Sequence, residues 1–307
     1  MDDSSGGRRW TLLDLLNWTT KHFEQAGIES PRMNAELLLA EVTGQERVML
    51  YARFDQELGP QERARLRELV RRRASREPLQ YLLGRAEFYG RDFRVTPAVM
   101  VPRPETEVVV DTCLEKVAAD APELWAADIG TGSGVIAVTL ACERPGLHVT
   151  ATDSSAAALE VARDNAQRHG VADRVRFVQG HLCEPLLSPA EAGGERLSLL
   201  VSNPPYVPSA QIEKLQPEVR DHEPRQALDG GPDGLCVIRE LIPAAAGMLG
   251  PGGWLVLELG EGQAPAVRDI VHATSAFEPD SIQTARDGAG CERVMAARRR
   301  STTAQAS

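Results

Sequence analysis

The residues most suited to chemistry in this chain are Asn203-Pro204-Pro205-Tyr206. Two prolines lock the local backbone. They also lack N–H groups, so their carbonyls are left as pure acceptors. Asn203 adds a side-chain carbonyl acceptor and an NH₂ donor, and Tyr206 adds a flat face. This set suits one kind of substrate, an NH₂ on a planar, conjugated group. One hydrogen goes to the Asn203 oxygen, the other to the Pro204 carbonyl, and Tyr206 stacks on the plane. Pinning both hydrogens turns the nitrogen lone pair toward an electrophilic carbon and favours in-line attack. Asn203, Pro204 and Tyr206 are thus the catalytic candidates, with Pro205 completing the substrate-binding set. Asn-Pro is also an ordinary turn starter. Here it follows directly on an apolar run, Leu197 to Ser202, that reads as a buried strand.

A second constellation lies upstream, at Asp128-Ile-Gly130-Thr131-Gly132-Ser133-Gly134. Glycines between a strand and a helix let the backbone turn tightly and approach a ligand. The spacing is one residue shorter than the dinucleotide fingerprint. A pyrophosphate needs a helix end aimed at it, whereas a methionine tail carrying a sulfonium needs only a close, flat floor. The spacing alone leaves both ligands open. Asp153, at the end of the next strand and about twenty residues on, stands where a carboxylate grips two ribose hydroxyls. It also stands where a helix N-cap is wanted, although Ser154 and Ser155 can supply that. Asp128 either orients the loop or faces a cationic ligand.

The elements that must position these residues follow from periodicity. Residues 10 to 84 read as a small helical bundle: one helix carrying Leu12, Leu15, Leu16 and Phe23, one begun by Ser30-Pro31 and ended at Gly44, one over 48–54, and one over 60–77 ended by Pro78. Residues 85–103 suit a β-hairpin linker. From 104 to 300, strands (124–129, 148–152, 174–179, 197–202, 254–259) alternate with helices (135–142, 156–169, 235–249, 264–274). Two last strands, near Ile282 and over 293–297, have no helix between them. This predicts an α/β fold, a Rossmann-like doubly wound sheet with an antiparallel edge hairpin. Residues 1–9 and 301–307 read as loose tails.

Composition narrows the function classes. The chain has 307 residues, 42% of them hydrophobic, enough for two packed domains. No apolar stretch reaches membrane-spanning length, and no signal-peptide pattern opens the chain. The five cysteines, Cys113, Cys142, Cys183, Cys236 and Cys291, form no Cys-x-x-Cys pair. They imply neither a metal site nor a disulfide framework and suit small buried residues in a reducing cytoplasm. A net charge of −10 argues against a general nucleic-acid binder. The basic run from Arg63 to Arg76 reads as a solvated helix face, with a partner-binding patch as the alternative.

Taken together, the glycine loop, Asp153 and Asn-Pro-Pro-Tyr make the chain resemble class I S-adenosylmethionine-dependent methyltransferases that act on amino groups. It resembles in particular the HemK/PrmC family, which methylates the glutamine amide in the Gly-Gly-Gln motif of peptide-chain release factors. The residues that carry this likeness include Pro78-Leu-Gln-Tyr-Leu-Leu-Gly84, Glu87-Phe-Tyr-Gly90, Val101-Pro-Arg-Pro-Glu-Thr-Glu107, Ser202 to Val207, Glu223-Pro224 and Asp287 to Val294. The resemblance implies S-adenosylmethionine as cofactor, bound by Gly130, Thr131, Gly132, Ser133, Gly134, Asp153, Leu182 and Asn203. It implies release factors as partners, recognised by the helical region 1–84, and a pocket bordered by Arg103, Thr106 and Glu107. It also exposes a departure. The family usually has an acid near the adenine amino group, and here His181 takes that position, as an acceptor or as a plain surface residue. A ribosomal-protein glutamine or a nucleic-acid amino group is the alternative substrate, and a nucleotide-cofactor oxidoreductase or a binding-only scaffold is the alternative class.

Overall fold

The computed structural model describes residues 10–118, 123–187 and 196–301. The expected tails, Ser301 apart, lie outside the described residues. The chain divides into two units, residues 1–84 with 216–222, and residues 85–215 with 223–307.

The first unit contains α1 (Leu12–Gln25), α2 (Pro31–Thr43), α3 (Arg47–Ala52), α4 (Pro60–Ala74) and α5 (Leu79–Leu83). Local chemistry sets their ends. The Thr11 hydroxyl accepts from the Asp14 N–H at 3.2 Å while the Asp14 carboxylate accepts from the Thr11 N–H at 3.2 Å, a capping box that starts α1. Pro31 and Pro60 occupy first-turn positions, where a missing N–H costs nothing. Ser30, expected as a side-chain cap, has left-handed backbone and makes no capping bond. The fourth helix stops at Ala74, short of the expected end at Pro78, and Pro78 instead precedes the short α5. The core holds Leu15, Leu16, Phe23, Leu38, Leu39 and Leu66. The basic run is laced with carboxylates: Arg65 pairs with Glu41, Arg71 with Glu68 and Arg72 with Glu77. Arg73 departs from a solvated face, being only 5% exposed.

The second unit opens with a hairpin, β1 (Arg85–Phe88) and β2 (Arg91–Arg94), turned by Tyr89 and Gly90 with φ of 52° and 68°. Its Phe88 and Phe93 are buried in this unit's core, so the hairpin belongs to it and is more than a linker. After α6 (Glu107–Lys116) come β3 (Leu124–Ile129), α7 (Val135–Glu143), β4 (Leu147–Asp153), α8 (Ala156–Arg168), β5 (Val175–Gln179) and β6 (Leu197–Ser202). The short α9 (Pro217–His222) falls within the first unit. Then α10 (Cys236–Met248), β7 (Leu249–Glu258), α11 (Ala264–Ala273), β8 (Gln283–Arg286) and β9 (Glu292–Arg298) complete the sheet. Its order is β5-β4-β3-β6-β7-β9-β8, parallel through β7 and antiparallel at β9 and β8. Successive strand residues feed opposite faces. Ala126, Leu199, Val201 and Val256 pack against one core, and Ala127, Ile129, Leu200 and Leu257 against the other. Connections leave β3 toward β4 on one side, and the chain crosses to β6 on the other. The crevice between β3 and β6 is therefore the topological switch point, where such sheets bind ligands.

Candidate functional site

Register brings the two constellations level. Ile129 pairs with Ser202 across β3 and β6, so the loops that begin at Gly130 and Asn203 leave the sheet side by side. The Ser202 hydroxyl donates to the Ile129 carbonyl at 2.7 Å and ties the two strand ends together. Ile129 also pairs with Thr152, which brings Asp153 to the same rim. Above this rim lies a cavity of about 310 Å³, lined by Gly130, Thr131, Gly132, Ser133, Asp153, His181, Leu182, Asn203 and Pro205 among others. Gly134, Pro204 and Tyr206 are not among its lining residues.

The glycine loop is held from below. Asp128 is fully buried, and its Oδ2 accepts from the Thr131 hydroxyl at 2.6 Å and the Ala137 N–H at 3.2 Å. Its other oxygen has no partner. Burial pushes this carboxyl up to about 7, against the pull of its two donors. Asp128 therefore orients the loop and faces no ligand space. Asp153 holds the loop from the side, accepting from the Gly132 N–H at 2.9 Å and the Ser155 N–H at 2.9 Å. Ser155 caps α8 by itself, through the Ala158 N–H at 3.2 Å. Gly130 and Gly132 have φ of 71° and 55°, and a Cβ on either would meet nothing within 4 Å. Gly134 is different, because a Cβ there would reach Ala162 Cβ at 3.0 Å. It serves the packing of α7 on α8, while the other two leave an open floor.

Asn203 is held by a chain of hydrogen bonds. Its Nδ2 donates to Thr106 Oγ1 at 3.3 Å, and the Thr106 hydroxyl donates to Glu258 Oε2 at 2.7 Å. The Tyr206 hydroxyl donates to Glu258 Oε1 at 3.0 Å. Burial raises the Glu258 carboxyl above the ordinary carboxylate range, against the two donated hydrogen bonds and the nearby Arg293 charge. Burial, and then the Glu258 charge, raise the Tyr206 phenol, so it stays protonated and acts as a donor. The loop backbone is buttressed as well. Gln263 Nε2 donates to the Tyr206 carbonyl at 3.0 Å, and the Val207 N–H donates to the Leu228 carbonyl at 2.9 Å.

The remaining expected residues divide. Thr106 lines the cavity. Arg103 pairs with buried Glu223 at 2.5 Å, joining the segment that contains Pro102 to the one that contains Pro224, and both prolines line the cavity. Glu107 instead turns away and accepts from the Tyr89 N–H at 2.7 Å, at the hairpin turn. His181 reaches the cavity half-exposed, with its Nε2 2.9 Å from Glu240 Oε1. Leu182 follows with φ of 46°, and its carbonyl accepts from the Thr152 hydroxyl at 3.1 Å. Among the described residues no group of three or more His, Cys, Asp or Glu could hold a metal ion. All five cysteines are free, and Cys236 is exposed where a buried residue was expected. Sequence reading missed Glu258 and Gln263. A carboxylate inside the apolar run Leu255-Val-Leu-Glu258-Leu259 was the available signal, since an acid in a buried strand needs partners.

Comparison with known proteins adds to this geometry. The family model described as the PrmC N-terminal domain matches residues 14–84, and that of the methyltransferase small domain matches residues 109–219. A release factor glutamine methyltransferase of Geobacter sulfurreducens is 47% identical over 289 residues, covering 94% of this chain and 97% of that protein. The protein of the same name from Moorella thermoacetica is 46% identical over 291 residues, covering 94% and 99%. Among solved structures, a methyltransferase from Pyrococcus furiosus shares the fold, with a TM-score of 0.50 at 16% identity, covering 79% of this chain and all of that one.

Proposed function

The chain belongs to the release factor glutamine methyltransferase family, and from that premise we propose that it methylates the side-chain amide nitrogen of the glutamine in the Gly-Gly-Gln motif of a peptide-chain release factor, using S-adenosylmethionine. The observation that carries this reading is the disposition of Asn203. Its amide donor is committed to Thr106 while the residue itself lines the cavity beside the glycine loop, which leaves its oxygen available to a substrate N–H.

The residues present fit the cofactor. Left-handed glycines at 130 and 132 leave open floor where any side chain would stand, and the Asp153 carboxylate lines the same cavity with lone pairs to spare for ribose hydroxyls. Gly130 to Ser133, Asp153 and Leu182 would hold the cofactor, with His181 at the rim. When bound, S-adenosylmethionine supplies a methyl group on a sulfonium, an electrophile that needs no metal.

The chain's own residues do the rest. An amide nitrogen is a poor nucleophile because its lone pair is delocalised. The Asn203 oxygen and the Pro204 carbonyl accept its two hydrogens, which fixes the nitrogen and meets the positive charge that grows on it with two dipoles. Tyr206, its phenol anchored on Glu258, stiffens the loop and offers its ring to the amide plane. No residue at the cavity need act as a strong base, and the proton leaves to water after transfer. The helical first unit recognises the release factor. Ion pairing of its basic run with carboxylates, and the net charge of −10, favour a protein partner over a nucleic acid. Such a substrate implies work in the cytoplasm. In the deciding experiment, purified protein is mixed with labelled cofactor and a cognate release factor carrying Gln or Ala in its Gly-Gly-Gln motif. Label should enter the Gln form only, and uptake that ignores the change overturns the proposal.

A further inference from the structure

We infer that Glu258 is a positioning residue for methyl transfer, which sets the direction in which the Asn203 amide faces by controlling the only proton of the Thr106 hydroxyl. The inference rests on the reading of Asn203 as the acceptor for the substrate amide.

An asparagine amide has two nearly isosteric ends, one a donor and one an acceptor. Only one orientation serves an N–H substrate, and something must select it. Glu258 sits at the carboxyl end of β7 and is only 1% exposed, so its oxygens depend on protein donors. Both of its oxygens stand opposite hydroxyl donors, Oε2 facing Thr106 and Oε1 facing Tyr206, so Glu258 acts as the acceptor to each. Thr106 therefore gives its single proton to Glu258 Oε2, at 2.7 Å. The Thr106 oxygen is then left as an acceptor, so it takes the Asn203 NH₂ at 3.3 Å and repels the opposite end of that amide. The Asn203 oxygen is thereby turned out to the substrate. The second carboxylate oxygen performs the same office for Tyr206, holding its phenol as a donor at 3.0 Å. One buried carboxyl group, accepting at both oxygens, thus sets the polarity of both side chains of the reactive loop.

A glutamine at 258 keeps the shape and loses this logic. If its NH₂ faces Thr106, the hydroxyl becomes the acceptor there and its proton is free to meet a flipped Asn203. If its NH₂ faces Tyr206, the phenol loses its acceptor. The test compares wild type with Glu258→Gln and, as a second variant that leaves the carboxylate in place, Thr106→Val. Release-factor methylation gives kcat and KM, and calorimetry gives S-adenosylmethionine affinity. The orientation is read from side-chain NH₂ signals of asparagine-labelled protein. The chain has four asparagines, at 17, 34, 165 and 203, so the Asn203 pair is identified by its loss in Asn203→Ala and the other three serve as standards. We expect kcat to fall about tenfold or more in both variants, KM and cofactor affinity to stay within about twofold, and the Asn203 signals alone to move. The inference is overturned if folded Glu258→Gln keeps its kcat, or if the Asn203 signals do not move in either variant. If wild type transfers no methyl to the release factor, the proposed function fails, while the Asn203 signals still decide the role of Glu258.

Discussion

An alanine at Gly132 and an alanine at Gly134 should do opposite things, although the two positions are two residues apart. Both glycines hold left-handed backbone, with φ of 55° and 82°. That conformation costs a side-chain-bearing residue roughly 1–2 kcal/mol, and the stiffer unfolded chain returns about 0.4–1 kcal/mol. At Gly132 the new methyl meets nothing within 4 Å, so the net cost to folding is about 1 kcal/mol. At Gly134 it meets Ala162 Cβ at 3.0 Å and Ala162 Cα at 3.2 Å. Neither neighbour is a flexible side-chain end, so overpacking adds roughly 1–3 kcal/mol. The sum, about 2–4 kcal/mol, lowers Tm on the order of 10 °C for a domain of this size, against about 3 °C for Gly132→Ala. Cofactor binding should show the reverse order. The Gly132 methyl stands on the cavity floor and should weaken S-adenosylmethionine binding about tenfold or more. Folded Gly134→Ala should bind within a few-fold of wild type. Thermal melts and titration calorimetry on the same preparations give both quantities. A Gly132→Ala protein that binds the cofactor as wild type does would refute the assignment of that floor. An unshifted Tm for Gly134→Ala would refute the packing argument.

Three other substitutions probe separate links. Asn203→Ala should cut methyl transfer about a hundredfold or more while calorimetry shows cofactor affinity largely kept; unchanged turnover would remove Asn203 from the mechanism. Asp128→Asn tests burial through pH. The folded carboxyl at about 7 retains a proton that the unfolded one, near 3.8, has released, so wild-type stability falls as pH rises between those values. Relative to the non-titrating variant, wild type should lose about 2–3 kcal/mol between pH 5 and pH 8 in denaturant titrations, and parallel curves would contradict this. Glu218 accepts from Arg73 at 3.0 Å and from Arg76 at 2.7 Å, and Arg73 is buried. Glu218→Ala should therefore destabilise the first unit by about 3 kcal/mol, read as faster proteolysis of residues 10–84. Wild-type resistance would show that Asn34 and the Glu77 carbonyl suffice as partners for Arg73.

Much of the second unit was legible because its central strands, β3 and β6 among them, are buried along most of their length and read as short apolar runs. The spans of β3 and β6 fell at the predicted residues for that reason. The site's two loops were legible because glycines and prolines mark backbone constraints that sequence states directly. Where partners come from far along the chain, sequence was mute. Glu258 meets Thr106 and Tyr206 across separations of 152 and 52 residues. Only tertiary structure separates Gly134, packed on Ala162, from Gly132, which faces open space. The helix α6 was missed because Val108-Val109-Val110 is a β-branched run whose local preference is strand. The segment 216–222 looked like part of the methyltransferase region, yet it groups with the helical unit, where Glu218 meets Arg73 of α4 and Arg76 just beyond that helix. The pairing of His181 with Glu240 also needed structure, since the two are 59 residues apart.

If the Asn203 loop methylates one glutamine of a release factor, the product carries the mark. The most direct test is the mass of the Gly-Gly-Gln peptide cut from a release factor after incubation with cofactor, with and without this protein. The peptide should be heavier by one methyl for hydrogen, with the added mass on the glutamine, only when the protein is present and not with Asn203→Ala. An unmodified peptide, or added mass on any other residue, would contradict this role of the loop.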